Sequence, residues 1–367
     1  MKRAVQWMAV AGLAVTAACA TASGGGRESQ QAVVERSRAQ VPTPPWPAGD
    51  ERGMANTQGQ GTWLRCAWHL NDPNAKAYEL AQVTSNTMPM SPFAPPLSFQ
   101  YRPSAAMPGT RHVVNGESFG AGDPGNQGTQ FDGLGHFGYL PEPWNGQGSS
   151  PVDAARYYGG LEQKDVKPTP DSPLLKLGVD KVPPIITEAV LLDARSYMGK
   201  GQALQAGQLI TVQDIEGMIQ AQGLGWRGLL PGDVLYIYTG WEENWADPDG
   251  GKGYYVKGPG LSYDAAKYLR EKAITLLALD APFLDPVAEG QFEGKAAPAA
   301  GTPPGLLLSI HHENLSQSGI HHVENAHLAE LAADKVWTSC TMILPLRIKG
   351  AAVSQVRPVA IGAPAAQ

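Results

Sequence analysis

Charge is scarce in this 367-residue chain. Asp, Glu, Lys and Arg make up 17% of it against 43% apolar residues, which excludes a largely disordered polyelectrolyte and predicts a mostly globular body. The little charge present has no basic excess. With 28 Lys and Arg against 34 Asp and Glu the net charge is −6, so the electrostatic footprint of a nucleic-acid-binding protein is missing. No continuous apolar run of 18 residues occurs beyond the first 25, so no membrane-spanning helix is expected in the body. Only three cysteines are present, too few for a structural zinc site closed by four of them. No glycine-rich segment reads as a strand, GxGxxG and helix or as a Walker loop, and no Ser or Cys lies in a nucleophile elbow. What the chain has in quantity is Gly (43) and Pro (31), which predicts long loops and many turns.

Residues 1–22 read as a secretory signal peptide, with Lys2 and Arg3 before the apolar stretch Met8 to Ala18 and small residues after it. Cys19, following Ala17 and Ala18, is placed as in a bacterial lipoprotein cleavage site, although Thr16 stands where an aliphatic residue is usual. A periplasmic, cell-envelope or secreted protein is therefore expected, with membrane attachment through Cys19 if it is lipidated. An oxidising compartment would let Cys66 and Cys340 pair, and two separate buried thiols are the alternative. Residues 23–50, rich in Gly, Ser, Gln, Ala and Pro, read as a tether. One domain is expected over 51–361, followed by a frayed tail at 362–367.

Within the domain, β-branched and aliphatic runs predict strands at Ala189–Asp193, Asp233–Thr239, Ile274–Asp280 and Met342–Ile348. Thr211 with Asp214 three residues on announces a helix over Val212–Gln222, and Ser262 announces one over Tyr263–Lys272. Strands interleaved with helices predict an α/β domain. The Gly- and Pro-rich stretches 90–150 and 281–305 read as loops of a length that compact domains reserve for function or disorder.

Chemistry concentrates in two places. The segment Asn126-Gln-Gly-Thr-Gln-Phe-Asp-Gly-Leu-Gly-His136 puts Asp132 and His136 four residues apart behind two amide side chains. Asp132 reads as a metal ligand or as a carboxylate capping a turn, and His136 as a ligand, a proton shuttle or a core histidine. Five of the eight histidines fall between 311 and 327, where His312 and Glu324 lie twelve residues apart across Gly319. That clustering suits a divalent cation, although His321-His322 also fits a solvated polar face. Trp241 and Trp245 follow a predicted strand and could line a substrate pocket or pack as an ordinary loop.

At these residues the chain resembles the metal-dependent cyclase/hydrolase family that includes bacterial kynurenine formamidases and isatin hydrolases. The family signature, His-x-Gly-Thr-His-x-Asp-x-Pro-x-His, reads here Asn126-x-Gly128-Thr129-Gln130-x-Asp132-x-Leu134-x-His136. Further family-like blocks follow in order from Leu191 to Ile348. The resemblance implies a single-domain α/β fold with a mixed β-barrel-like sheet flanked by helices, and a homo-oligomer. It makes Asp132 a ligand shared by two metal sites, His312 and Glu324 the completion of one of them, and His136 the proton-transferring group. Asn126 and Gln130 replace the two histidines of the other site, and amides are poor zinc ligands beside imidazole. One Mn²⁺ or Zn²⁺ is therefore expected, on Asp132, His312 and Glu324 with help from Gln130, while Asn126, Trp241 and Trp245 would meet the substrate. The activity implied is hydrolysis of a small cyclic amide, formamide or ester-like carbonyl compound by a metal-activated water. The alternatives are a cyclase or dehydratase on the same fold, or an exported ligand-binding protein whose metal site has decayed.

Overall fold

The structure is a computed structural model that describes residues 27–365 apart from 252, so the leader read over 1–22 and Cys19 lie outside the described residues. Among the described residues the largest sheet has nine strands: β1 (Lys76–Glu79), β2 (Gln130–Asp132), β3 (Ile185–Asp193), β4 (Val234–Tyr238), β5 (Leu276–Leu279), β6 (His321–Glu324), β7 (Thr338–Ile343), β8 (Val353–Gln355) and β9 (Val359–Gly362). They lie in the order β1-β9-β7-β3-β4-β5-β6-β2-β8. The sheet is mixed: β3 to β6 run parallel and the remaining pairings are antiparallel. This is the mixed, curled sheet with flanking helices that the resemblance implied.

The parallel strands read as unbroken apolar runs because both of their faces are buried. Val190, Leu192, Leu235, Ile237, Leu277 and Leu279 point into one core cluster, and Leu191, Val234, Tyr236, Leu276 and Ala278 into the other. The first cluster is closed by two helices that start where their caps predicted. Val212–Ala221 opens on a reciprocal Thr211–Asp214 capping box, and Tyr263–Glu271 opens on Ser262, whose hydroxyl accepts from the Ala265 amide at 3.2 Å.

Three local expectations differ from what forms, and one left open is decided. Within the span read as a tether, Gln30–Arg38 is a helix that Ser29 caps, and Val33, Val34 and Ser37 are buried. Two adjacent valines on one helical face outweigh the polar composition around them. The predicted strand Met342–Ile348 forms instead over Thr338–Ile343, because polar Thr338, Ser339 and Thr341 pair with β3 and the chain breaks before Pro345. Cys66, on the helix Gln60–Leu70, is bonded to Cys340 on β7, which selects the disulfide over separate thiols. In the long loop 90–150, Phe99–Ala106 and Val113–Phe119 pair as an exposed hairpin. Among the described residues no helix is long and apolar enough to cross a membrane.

Candidate metal centre

The register of one strand pair builds the site. β2 and β6 are antiparallel neighbours, with Asp132 opposite His322 and Gln130 opposite Glu324. Directly opposed residues share a face, and strand residues alternate, so these four side chains meet on one side of the sheet. Phe131 and Val323, the residues between them, turn the other way into the core. Asn325 locks the end of the pair at φ +57°, where its side-chain amide donates to the Gly128 carbonyl at 2.7 Å. Thr129 in turn donates to the Asn325 carbonyl at 2.7 Å.

Gln130 holds the two carboxylates together. Its amide nitrogen donates to Asp132 Oδ1 at 3.2 Å and to Glu324 Oε2 at 3.1 Å. The second oxygen of each carboxylate, Asp132 Oδ2 and Glu324 Oε1, is buried without a hydrogen-bond partner among the described residues. A third element brings the imidazole those oxygens face. His311 ends the short helix Ser309–His311, and its Nε2 lies 3.3 Å from Glu324 Oε1 and 3.7 Å from Asp132 Oδ2. Its other nitrogen, Nδ1, meets Asp285 Oδ2 at 2.5 Å. Asp285 is itself fixed by the Ile310 amide, which donates to its Oδ1 at 2.6 Å. His322 completes the group, with Nδ1 3.9 Å from Asp132 Oδ2 and neither ring nitrogen hydrogen-bonded.

Asp132, His311, His322 and Glu324 are all buried, and one ligand atom from each lies within 4.8 Å of the others. Several orphaned polar atoms aimed at one point are costly, by about 1–3 kcal/mol each, unless something binds between them. The donor set of two imidazoles and two carboxylates suits a divalent ion of the zinc or manganese kind. A carboxylate against Nδ1 is the arrangement that commonly orients a metal-binding histidine. The electrostatics of the protein atoms agree. Burial and the Asp132 charge push the Glu324 carboxyl up to about 8, and burial with the neighbouring histidines pushes His322 well below its ordinary value. Burial alone would lower His311 too, but its bond to Asp285 and the nearby Glu324 carboxylate hold it well above. A dication among these groups would take over the charge balance that protons otherwise supply.

A cavity of about 320 Å³ opens onto this cluster. Its polar end is made by Asn126, Gln130, His136, His311 and Glu324, and its walls by Phe93, Phe137, Phe283, Phe292 and Tyr255. The Phe93, Phe283 and Phe292 rings pack on one another with centroids 4.9 to 6.1 Å apart. His136 stands half-buried at the polar end, its ring centroid 6.2 Å from that of His311. Burial lowers its pKa, against the opposing pull of Asp132, so its ring stays neutral at pH 7 and free to accept a proton.

The residues singled out in the sequence are distributed as follows. Asp132 and Glu324 come together, Gln130 lies against both through its amide NH₂, and His136 and Asn126 line the cavity. His312 does not join them. Successive helical residues diverge by about 100°, so only one of the His311-His312 pair can face the carboxylates. His311 does, while His312 turns outward edge-on to Tyr139, with ring centroids 4.9 Å apart. Trp241 is buried in the core, and Trp245 packs edge-on against Tyr254 with centroids 5.1 Å apart; neither lines the cavity. His321 and His322 are both fully buried rather than a solvated face. Sequence reasoning missed His322, Asp285 and the phenylalanine walls. Their local traces are the His322-x-Glu324 alternation and the placement of Asp285, Phe283 and Phe292 in the long loop 281–305, neither of which identifies a partner without the fold.

Among solved structures the chain is similar to a crystal structure described as a novel cyclase, with 24% identity and a TM-score of 0.69 over 86% of this chain and 95% of that one. It is also similar to isatin hydrolase A from Ralstonia solanacearum, at 16% identity and a TM-score of 0.52 over 81% of this chain and 95% of that one. An isatin hydrolase bound to the product analogue thioisatinate matches at 16% identity and 0.51 over 78% and 92%. No curated protein sequence matches the chain. Residues 39–286, more than half of the sequence, fit the model of the family described as Putative cyclase, and the chain belongs to that family.

Proposed function

We propose that the chain is a hydrolase that uses a bound divalent cation, Mn²⁺ or Zn²⁺, to cleave a small, flat, neutral carbonyl compound: a cyclic amide, a formamide or an ester-like ring. One observation carries this reading. Four buried ligand-bearing side chains, among them unpartnered carboxylate oxygens and imidazole nitrogens, converge at the polar end of an aromatic-walled cavity, and His136 stands at the same end. A cation held by Asp132, His311, His322 and Glu324 would polarise a carbonyl and make water acidic enough to attack it. The protein's own residues supply the rest. Asp285 accepts from His311 Nδ1 and so points Nε2 toward the carboxylates, where it would give up its proton to ligate a cation. His136, neutral through burial, takes a proton on its ring nitrogen and returns it to the leaving group. The phenylalanines exclude water and flank a planar ring. No Lys or Arg is among the described residues lining the cavity, which argues for an uncharged substrate. The isatin hydrolases share the fold, and one of them is bound to the product analogue thioisatinate, which supports a small carbonyl substrate here.

The same proposal places the enzyme outside the cytoplasm, on the leader at residues 1–22, and as a homo-oligomer; cell fractionation and light scattering test those parts. The activity is tested on full-length protein purified without chelator, stripped, reloaded with Mn²⁺ or Zn²⁺ and offered neutral aromatic lactams, formanilides and lactones. The expected result is metal-dependent gain of one water by the substrate, lost in Glu324→Ala. Loss of water from the substrate would instead indicate a dehydratase or cyclase on the same site, and tight retention of an unchanged compound a binding protein.

A further inference from the structure

Two residues face the candidate centre that the signature's histidines do not account for: Gln130, which stands in place of one of them, and His322, which lies outside the signature on the neighbouring strand. We infer that this chain carries a one-ion centre, in which His322 is the fourth ligand and the Gln130 amide fills the side of the two carboxylates where a second cation would otherwise lie. The inference rests on the metal reading proposed above and fixes its ligand set and occupancy.

His322 enters the centre because it is the direct cross-strand partner of Asp132. Its side chain is fully buried, and among the described residues neither ring nitrogen has a hydrogen-bond partner. A wholly buried imidazole without a single partner is uncommon. The ligand spacing explains it. A tetrahedral ion bound at about 2.0–2.1 Å has ligand atoms about 3.3–3.4 Å apart. The corresponding distances here are 3.3 Å for His311 to Glu324, 3.7 Å for His311 to Asp132 and 3.9 Å for His322 to Asp132. All the separations among the four ligand atoms lie within 4.8 Å, so side-chain shifts of about an ångström would close the set.

Gln130 closes the opposite side. Its one NH₂ group has two hydrogens, and each is committed to a different carboxylate, at 3.2 and 3.1 Å. The reverse orientation would set its carbonyl oxygen against two carboxylate oxygens, so the donor orientation is the stable one. Asn126 offers no imidazole there either, and its NH₂ is bonded to Asp123 Oδ2 at 2.7 Å. Asp132 Oδ1 and Glu324 Oε2 are thus spent on an amide, and only Oδ2 and Oε1 face the histidines.

The test is Co²⁺ and Zn²⁺ titration of chelator-stripped full-length protein, read by elemental stoichiometry and by the visible Co²⁺ spectrum. The unsubstituted chain is expected to bind one ion. His322→Gln should weaken binding by at least tenfold and alter the spectrum, and Asn126→His with Gln130→His should bind two. Zinc X-ray absorption on the unsubstituted chain reads the ligand set without any variant: two imidazoles per ion are expected. Two ions in the unsubstituted chain, one imidazole per ion, or a His322→Gln protein with unchanged affinity and spectrum would overturn the inference. So would a double-histidine variant that still binds one. Failure of the chain to bind any ion would overturn the metal reading itself, a result distinct from all of these.

Discussion

Replacing Asp285 by Asn tests how the centre is held, and its effect can be worked through atom by atom. Asp285 Oδ1 accepts from the Ile310 amide at 2.6 Å, and an asparagine oxygen can keep that bond. The change falls on Oδ2, which meets His311 Nδ1 at 2.5 Å. In its place the variant presents an NH₂. To keep a hydrogen bond, His311 must offer Nδ1 as an acceptor, which moves its proton to Nε2. Nε2 is the nitrogen 3.3 Å from Glu324 and 3.7 Å from Asp132, and a protonated nitrogen cannot ligate a metal. Loss of such an outer partner typically costs 10- to 100-fold in metal affinity, which is about 1.4–2.8 kcal/mol. Zn²⁺ affinity measured by chelator competition at pH 7 should fall by that factor, while the melting temperature of the metal-free protein stays within a few degrees. An Asp285→Asn protein that binds Zn²⁺ as tightly as the unsubstituted chain would refute the role assigned to Asp285 and the ligand role of His311.

Three further outcomes are expected. His136→Ala should lower turnover by about 10²–10⁴-fold and leave the bound metal unchanged; loss of metal along with activity would make His136 a ligand instead. Asp280, buried beside Glu242, is pushed from 3.8 up to about 7 by burial and that neighbouring charge. Between those values the unfolded chain releases the proton and the folded chain keeps it, so folding stability contributed by this group falls as pH rises from about 4 to 7. Asp280→Asn should flatten that part of the urea-midpoint profile, and an identical slope in the variant would show that Asp280 does not set it. Reduction of Cys66–Cys340, which closes a loop of 274 residues, should lower stability by about 2–5 kcal/mol in denaturant unfolding, and equal midpoints with and without reductant would contradict this.

The parts of the molecule that depend on local pattern were legible in the sequence. Thr211 with Asp214 and Ser262 marked two helix starts, and the apolar runs marked β3, β4 and β5. Asp132 and Glu324 were also legible, and β2 and β6 bring them together through Gln130. What depended on phase or on distant contact was not. His311 and His312 are adjacent and chemically identical, and only the course of the short helix decides which faces inward. His322 needed the register of β6 on β2 to be seen opposite Asp132. Asp285 belongs to a loop with no periodicity, so nothing local tied it to a histidine 26 residues away. An aromatic lining was anticipated at Trp241 and Trp245, but it is made by phenylalanines from other loops, while Trp241 fills the core. Gln30–Arg38 hid in a polar segment because two valines are too few to raise its average hydrophobicity.

The account turns on a single divalent ion at the junction of β2, β6 and the helix ending at His311. Anomalous diffraction at the metal edge, from crystals of the protein loaded with Zn²⁺ or Mn²⁺, tests that most directly. The account predicts one peak per chain, in contact with Asp132, His311, His322 and Glu324 together, and its disappearance in Glu324→Ala. A peak elsewhere, or none between these four side chains at saturating metal, would contradict it.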